Sequence, residues 1–249
     1  MTTNSDLVDA MTPTYDSALR AMTDDAAFRV MAVNTTQTVR DVLTRQPASG
    51  LTRKTFGDLL TGAVLVRETM SPSQRVQAIL KQRQQTGSLV ADSHPTEGTR
   101  GLVSLPTTNP EFPLTSSMLQ IMRRLQDGRM HQGVVEVPSA GDVSDALREY
   151  MRVSEQVDTL VAVGTLFDGD ELICAGGYLI QLLPGVGQAP MAFMTERVRE
   201  FGHIDVHLAS GAEPRAPNEP WIVSDIETPA ASRRARSCWY SAWLIDKHR

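Results

Sequence analysis

The amino-acid sequence predicts an α+β fold in which a mostly antiparallel sheet packs with a few helices. Two Asp-Gly pairs, Asp127-Gly128 and Asp168-Gly169, each stand between segments rich in β-branched and large apolar residues. Asp-Gly between two such segments is the strongest short-range signal for a β-hairpin. The four strand segments are residues 118–125, 131–137, 160–167 and 171–183. A helical pattern between the two hairpins supplies the α part of the fold.

That helical pattern follows Asp142, a candidate N-cap. The apolar residues at helical spacing are Val143, Ala146, Leu147, Tyr150 and Met151. They form one apolar stripe, and such a stripe must be buried against another element, most simply the flanking sheet. Three polar residues, Ser154-Glu155-Gln156, follow where the helix should end.

The first half of the chain predicts further helices and short strands. We expect a lead-in helix within residues 1–24, since Tyr15, Leu19 and Met22 are compatible with helical spacing. A helix should be capped at Thr35-Thr36, and a longer one should start at Thr52, weakened by Gly57 and Gly62 unless another element packs closely on them. The predicted strands are residues 28–33, 75–80, 88–93 and 99–105.

Two adjacent glycines, Gly176 and Gly177, interrupt the last predicted strand. Glycine inside a strand costs roughly 0.5–1 kcal/mol relative to alanine, so a bulge or a close backbone approach is expected there. A structural kink is one interpretation and a ligand-binding turn is the other. Neither a Gly-x-Gly-x-x-Gly spacing nor a P-loop lysine accompanies the pair.

The composition changes after Pro184. Residues 1–184 are predicted to form the core domain, residues 185–210 a helical linker, and residues 211–249 an irregular tail. The linker helix should occupy residues 191–208, with its apolar side chains on one face. The apolar residues of that face are Met194, Val198, Phe201 and Ile204.

Charge and hydropathy limit the classes of partner. The net charge of −5 does not favour nucleic acid, and no apolar run approaches the roughly 18–20 residues that a membrane span needs. The N-terminal residues show no basic region followed by an apolar one, so no signal peptide is recognised. We therefore expect a cytoplasmic protein that binds neither nucleic acid nor membrane.

The sequence offers few candidates for catalysis or metal binding. His203 and His207 have a spacing that suits one metal ion, but no third ligand is in register, so solvated histidines are the better interpretation. The acidic residues that follow Phe167 do not belong to a loop of the kind that binds calcium, so a solvated acidic turn is the better interpretation. Cys174 should be a buried small apolar residue, whereas Cys238 lies in a basic segment and could be a reactive thiol. We expect no enzymatic activity.

Several of these segments, taken in order, resemble the heat shock protein 33 family, the 33 kDa chaperonins. The resemblance covers roughly residues 25–190, and weaker matches upstream lie in residues 28–33, 58–65 and 100–101. The matching signature residues are Gln132, Gly133, Ser154, Glu155, Gln156, Gly176, Gly177, Gln181 and Pro184. Each piece alone would be a weak signal, but their order is specific.

The resemblance implies a holdase chaperone that binds unfolding clients through apolar surface without ATP, and it leaves a homodimer possible. It also implies zinc held by four cysteines, which form disulfides on oxidation. This sequence has two cysteines, far apart, so we expect no zinc and no redox switch. The expected client-contacting residues on the methionine-bearing linker are Met191, Met194, Val198 and Phe201, although the same strip could simply dock on the sheet.

Two alternatives remain open at this point. The first is an enzyme or small-molecule-binding protein on the same core, with Gly176 and Gly177 shaping its pocket. A deep polar pocket would favour it, whereas a broad apolar surface would favour the chaperone. The second is a truncated family member that keeps the fold and has lost activity.

Overall fold

The computed structural model describes residues 15–23, 25–83, 87–106, 111–125, 128–187, 189–201 and 204. These residues form two β-sheets, a four-stranded sheet of order β1-β2-β9-β8 and a five-stranded sheet of order β5-β4-β3-β6-β7. Every described strand pair is antiparallel. The strands are β1 Ser17–Met22, β2 Phe28–Asn34, β3 Val76–Gln82, β4 Ser88–His94, β5 Gly98–Ser104, β6 Ser117–Arg124, β7 Met130–Glu136, β8 Thr159–Asp168 and β9 Glu171–Leu182.

Four α-helices accompany the sheets in the described part of the chain: α1 Thr36–Arg45, α2 Gly50–Glu68, α3 Val143–Tyr150 and α4 Ala189–Phe201. The chain continues from α3 into a short π-helix, Met151–Glu155. Helix α2 is buried on nearly all sides, which is the pattern of a helix inside a core rather than on a surface. Its side chains join residues of both sheets in one apolar cluster.

Close packing on α2 explains the glycines that weaken its helix propensity. A Cβ added to Gly57 would lie 2.6 Å from Cγ2 of Thr165 in β8. A Cβ added to Gly62 would lie 2.6 Å from Cδ1 of Leu147 in α3. The expectation that another element packs closely on these two glycines is therefore confirmed.

Most of the local sequence signals are also confirmed. Asp142 caps α3 through a reciprocal pair of hydrogen bonds, in which Asp145 N donates to Asp142 Oδ1 at 2.9 Å and Asp142 N donates to Asp145 Oδ2 at 3.2 Å. Both predicted hairpins are present, since β6 pairs with β7 and β8 pairs with β9. Gly128 and Gly169 at these turns have positive φ, which glycine adopts without steric cost.

The predicted lead-in helix is wrong for the residues on which it was based, Tyr15, Leu19 and Met22, whereas residues 1–14 and 24 of its range lie outside the described residues. Residues Ser17–Met22 form β1, which pairs along its whole length with β2. Leu19 packs on the apolar cluster of the four-stranded sheet, whereas Tyr15 is 77% exposed. The helical spacing of three apolar residues was too weak a signal to overcome pairing with a neighbouring strand.

Two smaller expectations need correction. The Thr35 side chain does not cap α1, because its hydroxyl lies 2.7 Å from that of Thr61 in α2. Instead, Asp16 accepts hydrogen bonds from the backbone amides of Gln37 and Thr38, both at 2.8 Å. The second helix starts at Gly50 rather than at Thr52.

Candidate client-binding face

The four-stranded sheet has two apolar faces. Its inner face packs on α2 through residues such as Met31, Val163 and Leu179. The opposite side of the sheet carries a second, separate apolar cluster, and we call this side the outer face. The main side chains of the outer face are Phe28, Val30, Cys174, Tyr178, Ile180 and Leu182. Because strand side chains alternate, a sheet with two apolar faces needs a cover on each.

The described cover of the outer face is the linker helix. In α4, Met194 is fully buried in the outer-face cluster, and Met191 and Val198 pack against it while partly buried. Ile204, which is also helical, is buried in the same cluster. Phe193 points elsewhere and is 40% exposed. Three of the four predicted client-contacting residues thus lie on the outer face, and the side chain of the fourth, Phe201, lies outside the described residues.

Burial shifts the acid–base properties of the outer face. Desolvation raises the pKa of the Tyr178 phenol to about 12, so this side chain stays neutral over the physiological range. Cys174 is buried in the same cluster, as predicted. The surface beneath α4 is therefore an uncharged apolar one. Cys238, His203 and His207 lie outside the described residues.

The signature residues of β7 and the π-helix come together at one place. Gly133 lies against Tyr150 and Ser154, and a Cβ at Gly133 would be 2.6 Å from Tyr150 Cε2. The Tyr150 hydroxyl donates to Glu155 Oε1 at 2.6 Å, and Arg123 Nη2 donates to Glu155 Oε2 at 2.8 Å. Desolvation, followed by the hydrogen bond to Glu155, raises the pKa of Tyr150. These contacts lock the π-helix onto the five-stranded sheet.

The other signature residues are distributed around this contact. Gln132 is exposed on β7, and Gln156 ends the π-helix in the left-handed region with φ 57°. Arg29 donates from Nε to Gln181 Oε1 at 3.1 Å, and a second, shorter bond joins Arg29 Nη2 to the same oxygen. Pro184 is exposed in the turn that precedes the linker.

The glycine pair of β9 does not form a ligand-binding turn. Gly176 and Gly177 pair continuously with β2 and β8, and the bulge lies instead beyond Leu166, where Ile173 is the extra residue. At Gly177 the close approach is confirmed, since an added Cβ would lie 3.0 Å from Leu65 Cδ1 of α2. The structure also contains a polar pocket away from these glycines, and its wall includes Arg29 and Gln181. The sequence did not predict this pocket, because its residues come from segments far apart in the chain. Only the polar signature residues could have indicated it.

Comparison with known proteins decides the family. The model of the Hsp33 protein family matches residues 16–219. This chain belongs to the Hsp33 family. A 33 kDa chaperonin of Desulforamulus reducens is 26% identical over 212 residues, which cover 80% of this chain and 71% of that protein. One from Shouchella clausii is 26% identical with the same coverage of both chains.

The Hsp33 fold is also found in a solved structure. The crystal structure of the 33 kDa chaperonin from Thermotoga maritima matches with a TM-score of 0.67 and 24% identity, covering 79% of this chain and 71% of that one. This confirms the α+β fold. The Hsp33 homologues are named chaperonins, which supports a chaperone role rather than an enzymatic one.

The residues of this chain do not fit the four-cysteine zinc site that the family resemblance implies. A tetrahedral structural site needs four ligands, and the chain contains two cysteines, of which Cys174 is buried in the sheet. Within the described ranges, no group of three or more His, Cys, Asp or Glu side chains could hold a metal ion. None of the described helices is both long and apolar enough to cross a bilayer.

Proposed function

We propose that this chain is an ATP-independent holdase that binds unfolding proteins through the outer face once α4 leaves it. The observation that carries the proposal is the burial of two linker residues, Met194 and Ile204, in a cluster whose other buried members all belong to the four-stranded sheet and the turn before β2. A sheet face of this composition would be a large exposed apolar patch without its cover, and such patches are sites of protein association. The homologues named 33 kDa chaperonins support the chaperone class.

The energetics favour reversible uncovering. Burying an apolar side chain of this size contributes about 1.5–3 kcal/mol, so Met194 and Ile204 together contribute roughly 3–6 kcal/mol before the cost of ordering the helix is subtracted. The core around α2 contains many more fully buried side chains. Helix α4 should therefore detach at a lower temperature than the core unfolds. Heat alone would then activate the protein.

The proposal includes the absence of a zinc–thiol switch. Two cysteines cannot form the four-thiolate site, and Cys174 is enclosed by the outer-face cluster. Client binding should consequently be the same in reducing and oxidising buffer, with or without a chelator. It should also be independent of added ATP, since the sequence contains no P-loop.

A light-scattering assay on a heat-denaturing client tests this function. The unmodified chain should suppress aggregation at elevated temperature in all four combinations of redox state and chelator. The Met194→Asp variant should suppress it at lower temperature, because a buried carboxylate is expelled from an apolar cluster and takes α4 with it. Ala192→Asp adds the same charge at an exposed position of the same helix and should behave like the unmodified chain.

Two results would contradict the proposal. If peroxide is required before aggregation is suppressed, the absence of a redox switch is wrong. If no condition gives suppression, and the Met194→Asp variant also fails although it remains folded, the holdase function itself is wrong. The interpretation as an inactive family member would then stand.

A further inference from the structure

A polar pocket of about 620 Å³ lies where the two sheets and the end of α2 meet. This volume is within the range of small-molecule sites in proteins. The four-stranded sheet, the five-stranded sheet, the π-helix and the connection after α2 all contribute to its wall. The residues used in the following argument are Arg29, Gln181, Arg123, Glu155, Ser71 and Gln74. The pocket is separate from the outer face, because Arg29 lies on the α2 side of the sheet.

Arg29 is a half-buried cation whose described partners are neutral. Its Nη2 donates to the backbone oxygen of Thr69 at 3.0 Å, and its other bonds go to the Gln181 amide oxygen. Over the described ranges no carboxylate forms an ion pair with Arg29. Desolvation, with repulsion from Arg20, lowers its pKa. A half-buried guanidinium with neutral partners is strongly stabilised when an anion binds to it directly.

Arg123 adds a second guanidinium to the wall. It pairs with Glu155, but that carboxylate also accepts the Tyr150 hydroxyl. The Nε of Arg123 is buried without a hydrogen-bond partner. Nε2 of His131, opposite it on β7 and outside the described pocket wall, also lacks one and lies 4.0 Å from Glu155 Oε1. Buried polar atoms are normally paired, so these two mark a place where the polar network is incomplete.

The balance of charge among the described wall residues is positive. Of those that carry a full charge, Arg29 and Arg123 are cationic and Glu155 is anionic. Ser71 and Gln74 add side chains that can donate hydrogen bonds to oxygen. A phosphate group suits such a wall, because guanidinium forks bind its oxygens in pairs. The volume leaves room for more than the phosphate alone.

We infer that the pocket binds a small organic phosphate. Arg29 binds the phosphate group directly, and the positive charge of Arg123 attracts it. A purely structural alternative is that Arg29 only ties Gln181 to the end of α2. The phosphate-binding and the purely structural interpretations differ in whether a phosphate ester binds at one saturable site. This inference does not depend on the proposed holdase function.

Isothermal titration of the full chain with glucose 6-phosphate at low ionic strength tests the inference, with glucose as the uncharged control. We expect saturable one-site binding of the phosphate ester and none of glucose. Gln74→Glu should weaken binding at least about tenfold, because it adds a negative charge to the wall. The glutamate side chain has nearly the same shape as glutamine, so the hydrogen bonds of Arg29 should stay in place. Arg29→Gln should weaken it by at least as much.

The control variant is Arg152→Gln, which removes an exposed arginine that pairs with Glu149 outside the pocket. Its binding should equal that of the unmodified chain. Thermal unfolding of each variant verifies that it is folded, and Gln74→Glu keeps the test valid if Arg29→Gln does not fold. Absence of saturable binding, equal binding by Gln74→Glu, or equal binding of glucose would overturn the inference.

Discussion

Gly177 of β9 lies so close to Ala162 of β8 that a Cβ on the glycine would be 2.6 Å from the Ala162 carbonyl oxygen. Backbone in the middle of a sheet cannot move aside without breaking its ladder of hydrogen bonds. The Gly177→Ala variant should therefore lose roughly 1–3 kcal/mol of unfolding free energy, as overpacked cores do. Urea denaturation measures this loss. Gly187→Ala is the control, because nothing lies within 4 Å of its added Cβ, and an equal effect of both substitutions would contradict the explanation.

Asp16 is expected to stabilise α1 by capping. Its two carboxylate oxygens accept the amides of Gln37 and Thr38, and a negative charge at a helix N-terminus is favourable. Asp16→Ala should lower the unfolding free energy by about 1 kcal/mol. Asp16→Asn keeps an acceptor oxygen and should lose less. Equal losses in the two variants, measured by urea denaturation, would show that capping is not the cause.

Ser144 protects the outer edge of the four-stranded sheet. Val163 of the edge strand β8 donates its backbone N–H to Ser144 Oγ at 3.1 Å. In Ser144→Ala this buried donor has no partner, which should cost about 1–3 kcal/mol of unfolding free energy and open the edge to association. Denaturation and size-exclusion chromatography measure both effects. Ser139→Ala, at an exposed turn position, should change neither.

Alkaline pH should destabilise the protein through its buried tyrosines. Tyrosine in an unfolded chain ionises near pH 10, whereas burial raises the pKa of Tyr178 to about 12. The stability contribution of the neutral phenol is complete below pH 10 and is lost as the pH rises from 10 to 12. At pH 11 the loss from this one group is about 1.4 kcal/mol.

Tyr178→Phe isolates this contribution. The variant keeps the apolar ring in the outer-face cluster and cannot ionise. Its unfolding free energy, measured in urea at pH 9, 10 and 11, should fall less steeply than that of the unmodified chain. Tyr150, whose pKa is also raised, should account for part of the remaining slope. Identical slopes would contradict the raised pKa of Tyr178 in the folded protein.

Local signals in the sequence predicted most of the strands and helices, because each depends on residues that are close together. The cap at Asp142 and the turn at Gly169 are of this kind. The division of the strands into two sheets could not be predicted, since it depends on pairing between strands that are far apart in sequence, such as β2 and β9. Strand β1 was missed for the same reason, because its regularity comes from pairing with β2 and not from its own pattern.

The candidate sites divide in the same way. Met191, Met194 and Val198 could be placed on one helix face by periodicity alone. What that face covers depends on the second apolar surface of the sheet, which alternation along β2 and β9 indicates only after their pairing is known. The pocket at Arg29 and Gln181 needs contacts across 152 positions of the chain, which no local pattern encodes.

The pairing of β2 with β9 has a consequence for synthesis on the ribosome. Strand β2 ends at Asn34, but its partner is complete only at Leu182. At about 5–20 residues per second, the nascent β1–β2 hairpin waits on the order of ten seconds for the strand that completes its sheet. Throughout that interval Phe28 and Val30 have neither β9 nor α4 beside them. A protein proposed to shield other chains from aggregation must itself pass through a stage in which it needs the same shielding.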